Sequence, residues 1–178
     1  LSFAAVKQKI SKKSIDPNIQ NIQFDFQDKK NSSDFIKSIK DKAIKLGAKS
    51  VPTLLNAMKN EKVSDQKRWM ATFTLGRIMG KKAVPVLSKY TRHSNWMLRL
   101  ASLKTLLALG AKEKASDFAD ALKDKSLIVR MQALENIKHF NLTSIVLMFG
   151  VWYSTSIITQ VIKVREKELV SYQKPLEL

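Results

Sequence analysis

The sequence predicts an all-α chain: a right-handed α-solenoid of about three stacked helix pairs preceded by an N-terminal half-repeat. Three observations carry this reading. Arg68, Arg99 and Arg130 recur at intervals of 31 residues. Ser64, Asn95 and Ser126 stand four residues before them, and Leu75, Leu106 and Ile137 stand seven after. Five glycines and four prolines in 178 residues are too few turn residues for a many-stranded chain. A fixed period of this length marks supersecondary units that bury their apolar faces against one another.

Each column of the repeat has a physical reason. Ser and Asn accept hydrogen bonds from the orphan amides of a first helical turn, so Ser64, Asn95 and Ser126 read as N-caps. The arginine then falls in that first turn. One before, three after and seven after it lie Lys67/Ala71/Leu75, Leu98/Ser102/Leu106 and Val129/Ala133/Ile137, one face of a helix in each case. A second stripe, Leu100/Leu103 and Met131/Leu134, makes these helices apolar on two sides, as an inner helix with two neighbours must be. The small residue three after each arginine admits a close neighbour.

Three domains follow in order. Residues 1–32 form a leader. Its Ser2-Phe3-Ala4 resembles the end of a secretory signal peptide, which would start the mature chain near Ala5 outside the cytoplasm; a chain that merely begins here, in the cytoplasm, reads the same. The alternation Ile22-Gln23-Phe24-Asp25-Phe26 suggests a short extended segment, with a mobile leader as the other reading. Residues 33–140 form the solenoid. Ser33 to Leu46 is its first helix, capped by Ser33, with Lys37 in the arginine position and Lys40 in the small position; a polar face there suits a terminal unit. Gly47, Gly80 and Gly110 follow the last apolar residues of helices and read as C-caps. Val51-Pro52 and Val84-Pro85 open outer helices over about 51–60 and 84–92, and a third covers about 113–123. Residues 141–178 break the pattern. Asn141–Ile162 carries no charge and is long enough to cross a bilayer, but Gly150 and the run Tyr153-Ser154-Thr155-Ser156 suit a span poorly. An outer helix over Leu142–Phe149 and a reading-frame slip are the other accounts of the break.

With these residues in hand, the units resemble HEAT repeats, especially the bacterial HEAT-like type also seen in phycobilisome-lyase proteins. The resemblance rests on the Val-Pro opening of the outer helix and on the inner-helix core, best copied in Val129-Arg130-Met131-Gln132-Ala133-Leu134. It covers about residues 33–140. It implies a non-enzymatic scaffold or adaptor that binds a protein partner. Such repeats usually carry an aspartate in the turn before the inner helix; Asp65 and Asp124 lie nearby but out of mutual register, so a regular Asp–Arg ladder is not expected. Alkylpurine DNA glycosylases share the architecture, but only Asp65 near Trp69 invites comparison with their site.

Composition narrows the chemistry. With no cysteine there is neither a disulfide framework nor a zinc–thiolate site. Two histidines, His93 and His139, make no triad, and no Gly-rich phosphate loop occurs. Asp117 and Asp120 read as a solvated face and Met70, Met97 and Met131 as core filler. No catalytic residue, metal ligand or cofactor is expected. The net charge is +17, and residues 33–140 carry 22 of the basic residues against nine acidic ones. A field of that size favours an anionic partner, or is simply a lysine-rich surface.

Two residue sets are candidates for function. The column Arg68, Arg99 and Arg130 reads as structural pairing between repeats, with a row of donors for an anionic ligand as the alternative. Arg77, Lys81, Lys82, Lys89, Arg92, Trp96 and Lys104 sit between the columns and recur in no other repeat, so they are the candidates for partner or polyanion binding. A protein partner is the first expectation and nucleic acid the second. A membrane contact is expected only through Asn141–Ile162, and oligomeric state is left open.

Overall fold

The computed structural model describes residues 16–142, and every regular element among them is helical. The chain forms two compact units divided after Ala111.

In the first unit, α1 (Pro17–Gln27) begins at an Asp16 cap that accepts from the Asn18 amide at 3.0 Å, with proline in the first turn. This differs from the extended segment expected at Ile22–Phe26. Ile22 and Phe26, four residues apart, are buried on one helical face, and Phe24 points away, 68% exposed. Five alternating residues fit a strand, but in a helix the same spacing puts the first and last on one side. α2 (Ser33–Leu46) packs on α1, so the half-repeat is a full helix pair. Its cap is Ser32, one residue before the expected Ser33: Ser32 Oγ accepts from the Phe35 amide at 3.4 Å.

Two further pairs follow: α3 (Val51–Lys59) with α4 (Asp65–Met79), and α5 (Val84–Tyr90) with α6 (Trp96–Ala108). Gly47 and Gly80 close α2 and α4 at φ +56°. A side chain would meet nothing at either position, so it is the left-handed backbone, not space, that calls for glycine. The short α3 and α5 start at their Val-Pro pairs. α4 and α6 are the inner helices, apolar on two sides as the columns require: Ala71, Leu75, Leu98, Leu103 and Leu106 are all fully or nearly fully buried. Burying each of the four leucines stabilises by about 1.5–3 kcal/mol.

The second unit contains, after a 3-10 turn at Lys112–Lys114, α7 (Ala115–Ala121) and α8 (Leu127–His139). Phe118 from α7 and Val129, Ala133 and Ile137 from α8 form its core, and the Phe118 ring stacks on Phe140 at 5.9 Å. Beyond Leu142 the expected outer helix, the uncharged segment and the rest of the tail lie outside the described residues, as do Leu1–Ala5.

Candidate interaction surface

Register on the inner helices decides which side chains meet solvent. In the arginine column Arg68 and Arg99 do not, and Arg130 is only partly exposed. Arg68 is 4% exposed and Arg99 5%. Arg68 donates from Nε and Nη2 to the Met58 carbonyl at 3.2 and 3.1 Å, one of the carbonyls left orphaned at the end of α3. Arg99 donates to the His93 and Ser94 carbonyls, both at 2.8 Å. Arg130 donates to those of Asp124 and Lys125 at 2.7 and 3.3 Å. In each unit a guanidinium folds back on the chain just upstream of its own helix, tying the turn to the helix it introduces.

Links between successive pairs run instead through the cap column. Ser64 Oγ donates to Asn31 Oδ1 at 2.6 Å, and Asn95 Nδ2 donates to Asp65 Oδ1 at 2.7 Å. Asp65 also meets Arg68 at 3.4 Å. The carboxylate considered for glycosylase chemistry is therefore engaged in holding two helix starts together. Ser64, Asn95 and Ser126 are the N-cap residues of α4, α6 and α8, but only Asn95 caps with its side chain. Asp117 is buried rather than on a solvated face, whereas Asp120 is exposed.

Lys67 is the exception among the inner columns. Where α6 and α8 carry Leu98 and Val129, α4 carries a lysine that is 0% exposed. Its Nζ donates to the Asp28 carbonyl at 2.6 Å and the Asp25 carbonyl at 2.9 Å, at the end of α1, and lies 5.1 Å from the Phe35 ring centroid. Burial lowers its pKa, against the pull of the Asp28 and Asp25 carboxylates.

The candidate partner-binding residues are all exposed, Trp96 to 42%. They do not form one patch. Lys89, Arg92 and Trp96 surround the turn between α5 and α6, beside the start of α4, where Asn95 meets Asp65. Arg77, Lys81 and Lys82 lie at the other end of α4; at 1.5 Å per residue, Arg77 is about 18 Å along the helix from Asp65. Lys104 sits between, on α6, its Nζ 5.9 Å from the Trp69 ring centroid on α4. Trp69 in turn meets Phe73 at 5.4 Å with the rings tilted by 51°. The sequence columns did not single out Phe73. The signal was there: counted five after each arginine position, the other inner helices carry Lys42, Lys104 and Glu135, all exposed, and only α4 carries an aromatic.

Among the described residues no group of His, Asp and Glu is placed to hold a metal ion, and no helix is long and apolar enough to cross a membrane. Paired helices repeating at a fixed interval, with arginine-tied turns and cap-to-cap links, define a helical-repeat protein. The family model for HEAT repeats matches residues 49–138, just over half of the 178-residue chain, and the chain belongs to the HEAT-repeat family. That match begins just ahead of α3 and ends within α8, so it takes in three helix pairs and leaves α1 and α2 outside it. No curated protein and no solved structure matches the chain.

Proposed function

We propose that the chain is a non-enzymatic interaction module whose partner is a protein. The observation that carries this reading is the strip on α4 and α6 where the partly buried rings of Trp69 and Phe73 lie beside the exposed Lys104. HEAT repeats are generally protein-interaction modules, which supports the same reading. Aromatic side chains with a neighbouring cation are the composition of protein-binding hot spots. Of the remaining candidates, Lys89, Arg92 and Trp96 at one end and Lys81 and Lys82 at the other would frame that strip, and Arg77, one turn beyond Phe73, would extend it.

Nucleic acid is the competing partner. No acidic residue lies between Asp65 and Glu113, a stretch with ten lysines and arginines. Panning a displayed random-peptide library against the full chain at physiological salt, beside a duplex-DNA shift across a salt series, separates the two. Enriched peptides that compete for one site support the module. Absence of enrichment, together with DNA affinity that falls steeply with salt, overturns it in favour of phosphate binding. Release of alkylated bases from DNA would overturn the non-enzymatic reading.

A further inference from the structure

A position that is charged in three inner helices and aromatic in the fourth has been turned from a solvent position into something else. Lys42, Lys104 and Glu135 hold that position as exposed residues, Lys42 with its ammonium paired to Asp25 at 2.7 Å. Phe73 holds it on α4 and is only partly buried, leaning at 51° against the partly buried Trp69. At 5.4 Å and 51° the two rings touch each other, and their outer surfaces together form a small apolar ridge against which a side chain can pack; a flat stacking platform for bases it is not. Burying Phe73 was not needed for the fold, because lysine serves at the same place on α6.

The charge around the ring pair is of one sign. Lys104 stands over the Trp69 ring and Arg77 is one turn beyond Phe73, both exposed. With no acidic residue from 66 to 112, this face has no carboxylate of its own from that stretch to neutralise them. We infer that the α4–α6 face formed by Trp69, Phe73, Lys104 and Arg77 docks an acidic peptide segment of a partner protein, with one apolar side chain of that segment packed on the outer surface of the Trp69–Phe73 pair. The inference rests on the protein-binding reading above and adds the face and the chemistry of the occupant. Two cations beside one aromatic pair suit a short acidic segment with an apolar anchor.

Library panning with variants tests it. The consensus selected by the unmodified chain is expected to hold Asp or Glu flanking a Leu, Phe or Trp. Phe73→Lys installs the residue α6 already carries, so the helix tolerates it, and it should weaken the selected peptides by at least about tenfold, as loss of a central anchor does. Lys104→Gln and Arg77→Gln should weaken them less and flatten the salt dependence. Replacing the apolar anchor of the peptide by alanine should match the effect of Phe73→Lys. Basic or neutral consensus peptides, or acidic peptides bound equally by all three variants, would overturn this face while leaving a protein-binding module standing. Failure to enrich any peptide would remove both.

Discussion

Asn95 performs two tasks with one amide: its Oδ1 accepts from the Met97 amide at 2.8 Å while its Nδ2 donates to Asp65 Oδ1 at 2.7 Å. The first bond starts α6; the second ties that start to the start of α4. Asn95→Ala loses both and should cost about 1–2 kcal/mol in urea unfolding, chiefly the lost cap, since the bond to Asp65 is exposed. Asn95→Asp keeps the cap but sets a carboxylate against Asp65, so it should also destabilise. The exchange Asp65→Asn with Asn95→Asp restores a donor–acceptor pair and should recover part of the loss. Strict additivity of the two single changes would show that the side chains do not interact.

Lys67 makes a prediction about pH. Burial holds its ammonium below the usual lysine value of 10.5, with Asp28 and Asp25 opposing. Between the lowered folded value and 10.5 the unfolded chain binds more protons than the folded one, so this group's contribution to stability rises with pH. The penalty of the buried ammonium is fully present below the folded value and is relieved as pH approaches 10.5. A neutral amine keeps two N–H donors for the Asp25 and Asp28 carbonyls, so the contact survives deprotonation. Denaturation of the unmodified chain and of Lys67→Met across alkaline pH should therefore diverge in favour of lysine as pH rises; parallel curves would refute this. Amide exchange in α1 should speed up in Lys67→Met, because the carbonyls ending that helix lose their donor.

What could be read from residues alone was whatever recurred. Caps at Ser64, Asn95 and Ser126, the Val-Pro starts of α3 and α5 and the buried inner columns all repeat, and each is set by local chemistry. What occurs once was harder to read. α1 carries a legible start at Asp16-Pro17, but its short alternating run points to the wrong period. Lys67 is visible as a misfit in an apolar column, yet its acceptors lie 39 and 42 residues away, and no local rule connects them. Phe73 is a misfit of the opposite kind, an apolar residue in a charged column. The basic candidates are dense along the chain, but a helix of 15 residues carries such neighbours to opposite ends.

His93 gives the acid side of the stability profile. Its Nδ1 accepts from the Asn95 amide at 3.0 Å and its ring stacks on Tyr90 at 5.4 Å. Burial lowers its pKa below 6.5, and Arg68 and then Arg99 act in the same direction, while Glu61 opposes them. The folded chain resists taking the proton that would destroy the acceptor. Between 6.5 and the lowered folded value the unfolded chain binds more protons, so this contribution is intact above 6.5 and is lost as pH falls through that window. His93→Gln should lose stability at neutral pH but flatten the decline below 6.5. An identical slope in both chains would exclude His93 as its source.

Gly76 sets the distance between α4 and α6. A helix-interior glycine is ordinarily worth replacing, since alanine favours the helix by about 1 kcal/mol. Here a β-carbon would collide with the γ-methyl of Thr105 on α6. Thr105 is buried and its hydroxyl donates to the Ala101 carbonyl at 2.7 Å, which fixes its rotamer and prevents the methyl from turning aside. Gly76→Ala should therefore destabilise, by about 1–3 kcal/mol, as overpacking a close-packed interface does. Thr105→Ser removes the obstructing methyl and keeps the hydroxyl. In that background the added β-carbon meets Leu109 at 3.8 Å, an ordinary contact, and the helix preference of alanine should reappear as a gain. The sign of the Gly76→Ala effect should thus reverse between the two backgrounds in denaturant unfolding. If it stays the same, the spacing of α4 and α6 is set by something other than this contact.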